Sequence, residues 1–327
     1  MTQSEAATEK ESEQAKYSLN RLNDRLFKYI FASEQRKENL VRFLNDVLSD
    51  PGRVIVDIKY IDREIDPPVL NGKLVRFDVR AKAADGKIFH VEVQIADEHD
   101  FLKRGLFYVC SNYTTQLTIG NDYNVLNEVV FIGVLNFNLF LDKPKSFHSI
   151  HRLLDVDNHK CYCPDLEMHF LEIPKLRKLR KSPDKLTGLE RMLTYMGTIG
   201  GNAKLNQIAE HDTDIKRILD MEEMFIRTPE TWLSYLIRER AQADWDRYVE
   251  VRVSEAVAEG MEKGMEKGIE KGIEKGIEKG IEKGMYEVAR KMLARNASAD
   301  EIREYTGLGE SDILALSQKH GRGKPEN

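Results

Sequence analysis

The chain has little of what would tie a protein to a membrane or to an oxidising compartment. It holds only three cysteines, Cys110, Cys161 and Cys163, in 327 residues. That number is too small and too odd for a disulfide framework and suits a reducing compartment. No apolar run approaches the roughly 20 residues of a membrane helix; the longest, Val129 to Leu135, is followed by Asn136 and Asn138. The opening stretch, MTQSEAATEKESEQAK, is acidic and polar and lacks the apolar segment of a secretory leader. Positive charge is not in excess either. Lys and Arg number 50 against 55 Asp and Glu, a net charge of −5. This excludes a uniformly basic nucleic-acid coat and confines any such site to a local patch. A soluble, cytoplasmic protein without a membrane partner is expected. What is present is a chain 41% hydrophobic, long enough to bury a substantial core.

Residues 1–17 lack periodicity and are expected to be disordered. A helical pattern starts at Ser18, with Leu22, Leu26, Phe27 and Ile30 at three- and four-residue spacing. A second helix is predicted from Glu38 to Leu48, ended by Ser49-Asp50-Pro51-Gly52. The period then changes to two. Val54, Val56, Ile58 and Tyr60 form one alternating set, Val75, Phe77, Val79 and Ala81 a second, and Phe89, Val91, Val93 and Ile95 a third. Asp97 can cap a helix reaching Leu117, with a stripe of Leu102, Leu106, Val109, Tyr113 and Leu117. The near-continuous apolar run from Glu128 to Phe137 predicts a strand buried on both faces. Weaker strands are predicted at 146–153 and 166–173, and helices from Asp184 to Glu250. Trp232 and Trp245 are assigned to the core. Together these elements read as an α/β fold, a mixed central sheet flanked by helices, with a helical C-terminal region.

From Met261 to Gly284 the unit Met/Ile-Glu-Lys-Gly occurs six times. A four-residue step turns a helix by about 400°, so no single apolar face is sustained. A glycine inside a helix costs about 1 kcal/mol relative to alanine, and here one recurs every turn. The repeat therefore reads as a frayed, semi-helical spacer over 251–284. The other reading is a coiled rod that makes the protein a homo-oligomer. In the tail, 285–327, Ser298-Ala-Asp-Glu301 is a capping box. The helical pieces around Gly307–Gly309 fit either a small helix-turn-helix or a plain three-helix cap.

The hairpin between the second and third alternating sets carries the chemistry. Arg76, Asp78, Arg80 and Lys82 share one face, and so do His90, Glu92, Gln94 and Ala96. The apolar sets must share the core, which fixes the parity of the pairing. A two-residue turn at Asp85-Gly86 would put Asp78 opposite Val93. A three-residue loop, Ala84-Asp85-Gly86, with Gly86 left-handed, puts Asp78 opposite Glu92 instead, and the patterning selects it. Facing carboxylates destabilise a sheet unless something neutralises them. A divalent cation does so, since Mg²⁺ takes carboxylate and water oxygens. The plainer alternative is that Arg76 and Arg80 pair with Asp78 and Glu92 across a solvated face.

Asp78, then Glu92-Val93-Gln94 on the next strand, then a helix, resembles the PD-(D/E)XK nuclease core. Further segments resemble the Rpn-type recombination-promoting nucleases, also labelled putative transposases. These are Asn23-Asp24-Arg25-Leu26-Phe27-Lys28-Tyr29-Ile30-Phe31, Arg42 to Leu48, Phe77 to Ala81, Arg104 to Tyr108 and Leu166 to Lys175. The resemblance covers roughly 20–250 and sets the expected nuclease-like domain at 18–250. It implies a restriction-endonuclease-like fold and Mg²⁺- or Mn²⁺-dependent cleavage of double-stranded DNA by water, linked to recombination or transposition. Carried over by position, Asp78 and Glu92 are metal ligands and Gln94 takes the family's lysine position. Asp24 is a further catalytic carboxylate. Gln94 lacks the positive charge of the superfamily's lysine, so a nuclease-like fold that binds DNA or a protein partner without efficient cutting is the alternative.

Other signals are weaker. Arg104 is placed to meet a phosphate or to pair with Asp100 at i−4. Lys175, Arg177 and Lys178 open a basic run that fits phosphate contact or a solvated face. His159, Cys161, Cys163 and His169 offer zinc-type ligands, but Cys-x-Cys is shorter than the usual spacing.

Overall fold

The computed structural model describes residues 19–65, 75–76, 78–97, 100–199 and 202–321. Residues 1–17, expected to be disordered, lie outside them, as does Phe77 of the second alternating set. Helix α1 (Asp24–Phe31) starts at Asn23, whose side chain accepts from Arg25 N, and buries Leu26, Phe27, Ile30 and Phe31. Helix α2 (Lys37–Leu48) buries Leu40, Phe43, Leu44 and Val47. The first strand is shorter than its alternation implied. β1 spans only Ile58–Tyr60, and Val54 and Val56 are exposed. β2 (Glu64–Ile65) and β3 (Val75–Arg76) form a separate two-stranded ladder. The predicted second strand is thus interrupted at Asp78, and β4 (Val79–Ala83) begins after it.

Six strands make the main sheet in the order β1-β4-β5-β6-β8-β7. β5 (Ile88–Gln94), β6 (Val129–Leu135) and β8 (Leu166–Glu172) are parallel to one another. β1 and β4 pair antiparallel on one side, and β7 (His148–Arg152) pairs antiparallel with β8 on the other. Every residue of β6 is buried, as a central parallel strand requires when helices cover both faces. On one face Val130, Ile132 and Val134 join α1 and α2 in the larger core. That core also takes in α5 (Gly188–Gly197), α6 (Ala203–Ala209) and α7 (Thr213–Arg227). On the other face Val129, Phe131 and Leu135 meet α3 (Phe101–Thr114).

Helix α3 is rotated from its predicted orientation. Phe101, Gly105, Val109 and Asn112 are buried, while Leu102 and Leu106 are exposed. Gly133 shows why. A Cβ there would lie 2.8 Å from the Phe101 ring, so the bare backbone at that point is what admits Phe101. The aromatic ring fits a glycine gap that the leucine stripe would not fill.

The chain forms two compact units, Met1–Gln242 and Ala243–Asn327, divided inside α8 (Pro229–Ala294). No helix of the described residues is long and apolar enough to cross a membrane. Trp232 packs against the first unit's core, but Trp245, expected there, is exposed. The repeat is not frayed, and α8 runs through it unbroken. Between its glycines it holds Glu and Lys with Met or Ile, and Glu, Lys and Met lose little on entering a helix; no proline interrupts the run. Lys263 pairs with Glu259 one turn back at 2.5 Å. The repeat side chains are exposed, and a Cβ added at any of Gly260 to Gly284 would meet nothing within 4 Å. Beyond it α9 (Ala299–Thr306), capped by the expected Ser298–Glu301 box, and α10 (Glu310–Gly321) close a small cluster of Ala289, Ile302, Leu308, Ile313 and Leu316. This helix, turn and helix arrangement fits both forms foreseen for the tail. Deleting 261–284 should leave chemical unfolding of the first unit within about 1 kcal/mol of the intact chain, because removing exposed side chains costs little. A larger loss in a urea titration would show that the repeat supports that core.

Candidate functional site

The β4–β5 register follows the parity argument. Val79 faces Val91, Arg80 faces His90, Ala81 faces Phe89 and Lys82 faces Ile88. The loop closes through Ala83 N to Lys87 O at 2.9 Å, and Gly86 has φ +94°, a conformation that glycine adopts without steric cost. One step beyond Val79, Asp78 stands opposite Glu92. Where β4 stops, the Asp78 side chain takes over the ladder, and its Oδ2 accepts from Val93 N at 3.0 Å.

The polar side of this hairpin is solvated at its loop end, where Lys82 is exposed, but not at its middle. α3 lies on it, and His90 is fully buried between Phe131 and Tyr108, with ring centroids at 5.1 and 5.2 Å. Burial pushes the His90 pKa down to about 3, so the imidazole is neutral. Its Nε2 lies 3.4 Å from Glu92 Oε2 and, protonated there, donates to that carboxylate. Arg80 bonds to Asn112 Oδ1 of α3 at 2.6 Å and to Asp62 O at 3.0 Å. Arg80 is thus engaged by α3 and by the Asp62 carbonyl, while the side chain of Arg76, the other arginine of the alternative pairing, lies outside the described residues.

Two cations reach this neighbourhood, one at the acids and one at Gln94. From α1, Lys28 Nζ pairs with Asp24 one turn earlier and lies 3.3 Å from Asp78 Oδ1. From α3, Arg104 donates to Gln94 Oε1 at 2.5 Å, while Gln94 Nε2 donates to Ala96 O at 3.0 Å. Lys103, not Arg104, is the residue beside Asp100, at 4.0 Å. Sequence reasoning singled out Asp24, Asp78, Glu92, Gln94 and Arg104, and all five lie in this neighbourhood. It missed Lys28 and His90. Only the i,i+4 spacing of Asp24 and Lys28 on α1 hinted at the first.

Burial and the neighbouring Glu92 charge push the Asp78 pKa up to about 7, against the opposing pull of Lys28 and the Val93 amide. Crowded acids of this kind attract a cation. Among the described residues no group of three or more His, Cys, Asp or Glu side chains is arranged to hold a metal ion. The oxygen donors of Asp78 and Glu92 nevertheless fit a hard divalent cation, because Mg²⁺ commonly uses one or two carboxylates and completes its shell with water and substrate phosphate.

The remaining sequence candidates lie elsewhere. Lys175, expected at a phosphate, is buried in α4 (Ile173–Arg177), where Nζ donates to Glu172 Oε2 at 2.6 Å and Phe140 O at 2.7 Å. A buried, doubly engaged ammonium is not placed to meet DNA. Arg177 donates to Gly197 O, and Lys178 is exposed. His169 belongs to a buried chain, Glu167–His169–His148, with contacts of 2.5 and 2.8 Å. Cys161 and Cys163 are free thiols. The zinc reading is not supported among the described residues.

The raised Asp78 pKa makes a stability prediction. A carboxyl whose folded pKa lies above its unfolded value is most favourable to folding below about pH 4 and loses that contribution as pH rises through about 7. Without divalent cations, Asp78→Asn should therefore be more stable than wild type at pH 8, by roughly 1–2 kcal/mol after allowing for its partial exposure. The difference should fade toward pH 4. Urea titrations at both pH values check this, and an Asp78→Asn variant less stable at pH 8 would contradict it.

The chain matches the model of the PD-(D/E)XK nuclease family transposases (PDDEXK_2) over residues 21–252. No curated protein and no solved structure matches it. The matched span takes in α1, the whole main sheet, α3 and the helices through α7. The mixed six-stranded sheet with flanking helices and a helical C-terminal region is consistent with the restriction-endonuclease-like fold. Nucleases of the superfamily generally use divalent metals, and the nuclease relationship implies a nucleic-acid substrate. With more than half its length matched and the Asp78/Glu92 hairpin in the expected register, the chain belongs to the PD-(D/E)XK nuclease family transposases.

Proposed function

We propose that this chain is a Mg²⁺- or Mn²⁺-dependent endonuclease that hydrolyses double-stranded DNA in recombination or transposition. The observation that supports the reading is the register that sets half-buried Asp78 opposite half-buried Glu92 near the end of β5. Asp78 and Glu92 would hold the divalent ion, and Asp24 would add negative charge nearby. When bound, the ion supplies a Lewis acid and lowers the pKa of water. Gln94 orients the attacking water or a phosphate oxygen through its amide, and Arg104 steadies the phosphate. His90 fixes the Glu92 carboxylate. In the reaction water forms one new P–O bond as one ester P–O bond breaks. The water's proton passes to solvent, and the leaving oxygen takes one up.

The same sheet face supports a nucleic-acid partner. Lys59 and Lys82 stand directly opposite each other on β1 and β4 and are exposed. Neither makes an ion pair among the described residues. Like charges facing across strands destabilise a sheet, and a polyphosphate would relieve that cost. Lys178 remains available for a further phosphate. The three free cysteines fit a cytoplasmic setting, and the exposed Ile and Met side chains of the repeat are where a homo-oligomer would form.

The test is a nicking time course on supercoiled plasmid with Mg²⁺ or Mn²⁺. Asp78→Ala and Glu92→Ala should each lose roughly 10²–10³-fold or more, the scale of removing one electrostatic stabiliser. Gln94→Lys should match or exceed wild type. An Asp78→Ala protein that cuts as fast as wild type would place the activity elsewhere. If wild type and Gln94→Lys are both inert, the non-cutting nuclease-like fold is the better reading. Separately, Lys59→Gln/Lys82→Gln should weaken duplex binding and flatten its dependence on log[salt] by about 2, since each phosphate that a cation neutralises adds about 0.9 to the slope. An unchanged slope would remove both lysines from the DNA path.

A further inference from the structure

Gln94 leaves the proposed site without the lysine that its superfamily carries at that position. A neutral amide can orient water but cannot offset charge developing on a phosphate. Two cations reach the neighbourhood, and they are not equivalent. Arg104 meets Gln94 Oε1, whereas Lys28 Nζ lies 3.3 Å from Asp78 Oδ1 and so touches one of the carboxylates itself. We infer that Lys28, delivered from α1, is the cationic catalytic residue of the site and takes the electrostatic part that Gln94 cannot play.

Three features support the assignment. α1 is anchored by its opposite side, with Leu26, Phe27, Ile30 and Phe31 buried, so the helix presents Asp24 and Lys28 together as a fixed pair one turn apart. The segment before it is tied down by Arg21, whose guanidinium bonds fully buried Glu222 at 2.6 and 2.8 Å and Thr198 O at 2.8 Å. The Lys28 side chain keeps about a quarter of its surface exposed, 23%. It is therefore near the surface that a substrate approaches and is not sealed into a structural ion pair. An ammonium on a flexible stem can exchange one oxygen partner for another at little cost, and a phosphate oxygen accepts a charge-assisted hydrogen bond from it as a carboxylate does. In the free protein Lys28 partly neutralises the acids. With cation and DNA in place it turns to the scissile phosphate.

This assignment rests on the nuclease reading, and the experiment separates the two. Wild type, Lys28→Met, Lys28→Arg, Arg104→Met and Lys28→Met/Gln94→Lys are compared in the plasmid assay. Their thermal melts are recorded, and Ca²⁺ binding is measured by calorimetry without DNA. Lys28→Met should lose roughly 10²–10³-fold in cleavage rate yet bind Ca²⁺ several-fold more tightly, because a positive charge has left the carboxylates. Lys28→Arg should keep at least about a tenth of the activity. The decisive variant is the double one. A lysine restored at position 94 should recover at least tenfold over Lys28→Met, a rescue that a merely structural Lys28 would not permit. A Lys28→Met protein that cuts like wild type overturns the assignment and leaves the nuclease reading standing. So does a loss of cleavage accompanied by weaker Ca²⁺ binding and no rescue, or a loss confined to Arg104→Met. If wild type itself is inert with both Mg²⁺ and Mn²⁺, the nuclease reading falls and Lys28 with it. Should Lys28→Met melt well below wild type, Lys28→Arg carries the decision, and a well-folded Lys28→Arg protein with less than about a tenth of the activity overturns the assignment.

Discussion

Strand β6 sets the terms for the rest of the first unit. It is buried along its whole length, so both its ladders must be filled by strands and both its faces by helices. β5 and β8 satisfy the ladders in parallel. α1, α2 and α5–α7 cover one face, and α3 covers the other, pressed close because Gly133 leaves room for Phe101. Parallel strands flanked by helices expose their carboxyl ends, and those ends are where α/β sheets bind ligands. Glu92 and Gln94 sit there, at the last residues of β5. The site is thus a consequence of how the central strand is enclosed.

The enclosure also determines what the acids experience. Covering the polar side of the hairpin with α3 takes His90 wholly out of water and leaves Glu92 only 13% exposed. A carboxylate in such a place disfavours a second one beside it, and the Asp78 pKa rises accordingly. A protein selected for stability alone would place a neutral or apolar pair at these positions. The surrounding donors fix the acids in place instead. Val93 N holds Asp78, His90 holds Glu92, Arg104 holds Gln94 and Lys28 bridges Asp24 and Asp78. Buried Arg21 and Glu222, far apart in sequence, hold the start of α1 to α7 and so fix where Lys28 stands.

Much of this was legible because it is periodic. The pleat forces Asp78 and Glu92 into one register once Gly86 is given its left-handed turn, and seven apolar residues from Val129 announce a strand buried on both faces. What escaped has no period. Val54 and Val56 alternate like a strand, but no partner extends β1 to them. Leu102 and Leu106 look like a core stripe, yet shape complementarity at Gly133 selected Phe101. Lys175 reads as part of a solvated basic run, and only the fold brings Glu172 and the Phe140 carbonyl to its ammonium. Lys28 and Asp78 are 50 residues apart, and an ion pair across that distance leaves no mark on local pattern. The repeat misleads for a different reason. Counting glycine costs one by one ignores that the residues between them leave the chain no better local alternative.

Charge ties the site's geometry to the kind of substrate it suits. The neighbourhood holds three carboxylates, Asp24, Asp78 and Glu92, and two cationic side chains, Lys28 at the acids and Arg104 at Gln94, so these five groups when ionised sum to one net negative charge. In that state it repels a phosphodiester, which carries one negative charge of its own. On the proposed reading, a divalent cation held there would reverse the sign and leave one net positive charge, matched to one phosphodiester. Below pH 7 proton uptake on Asp78 would neutralise the corner but remove a cation ligand. On the proposed nuclease reading, protons and metal would compete for the same oxygen, and only the metal would leave a positive field toward an approaching DNA strand. Placing lysine at position 94 in addition to Lys28 would raise that charge by one without moving a ligand. Removing Lys28 would lower it by one at the atom nearest Asp78. On that reading, Lys28 and the balance of the corner together would make the neutral Gln94 compatible with chemistry on a phosphate.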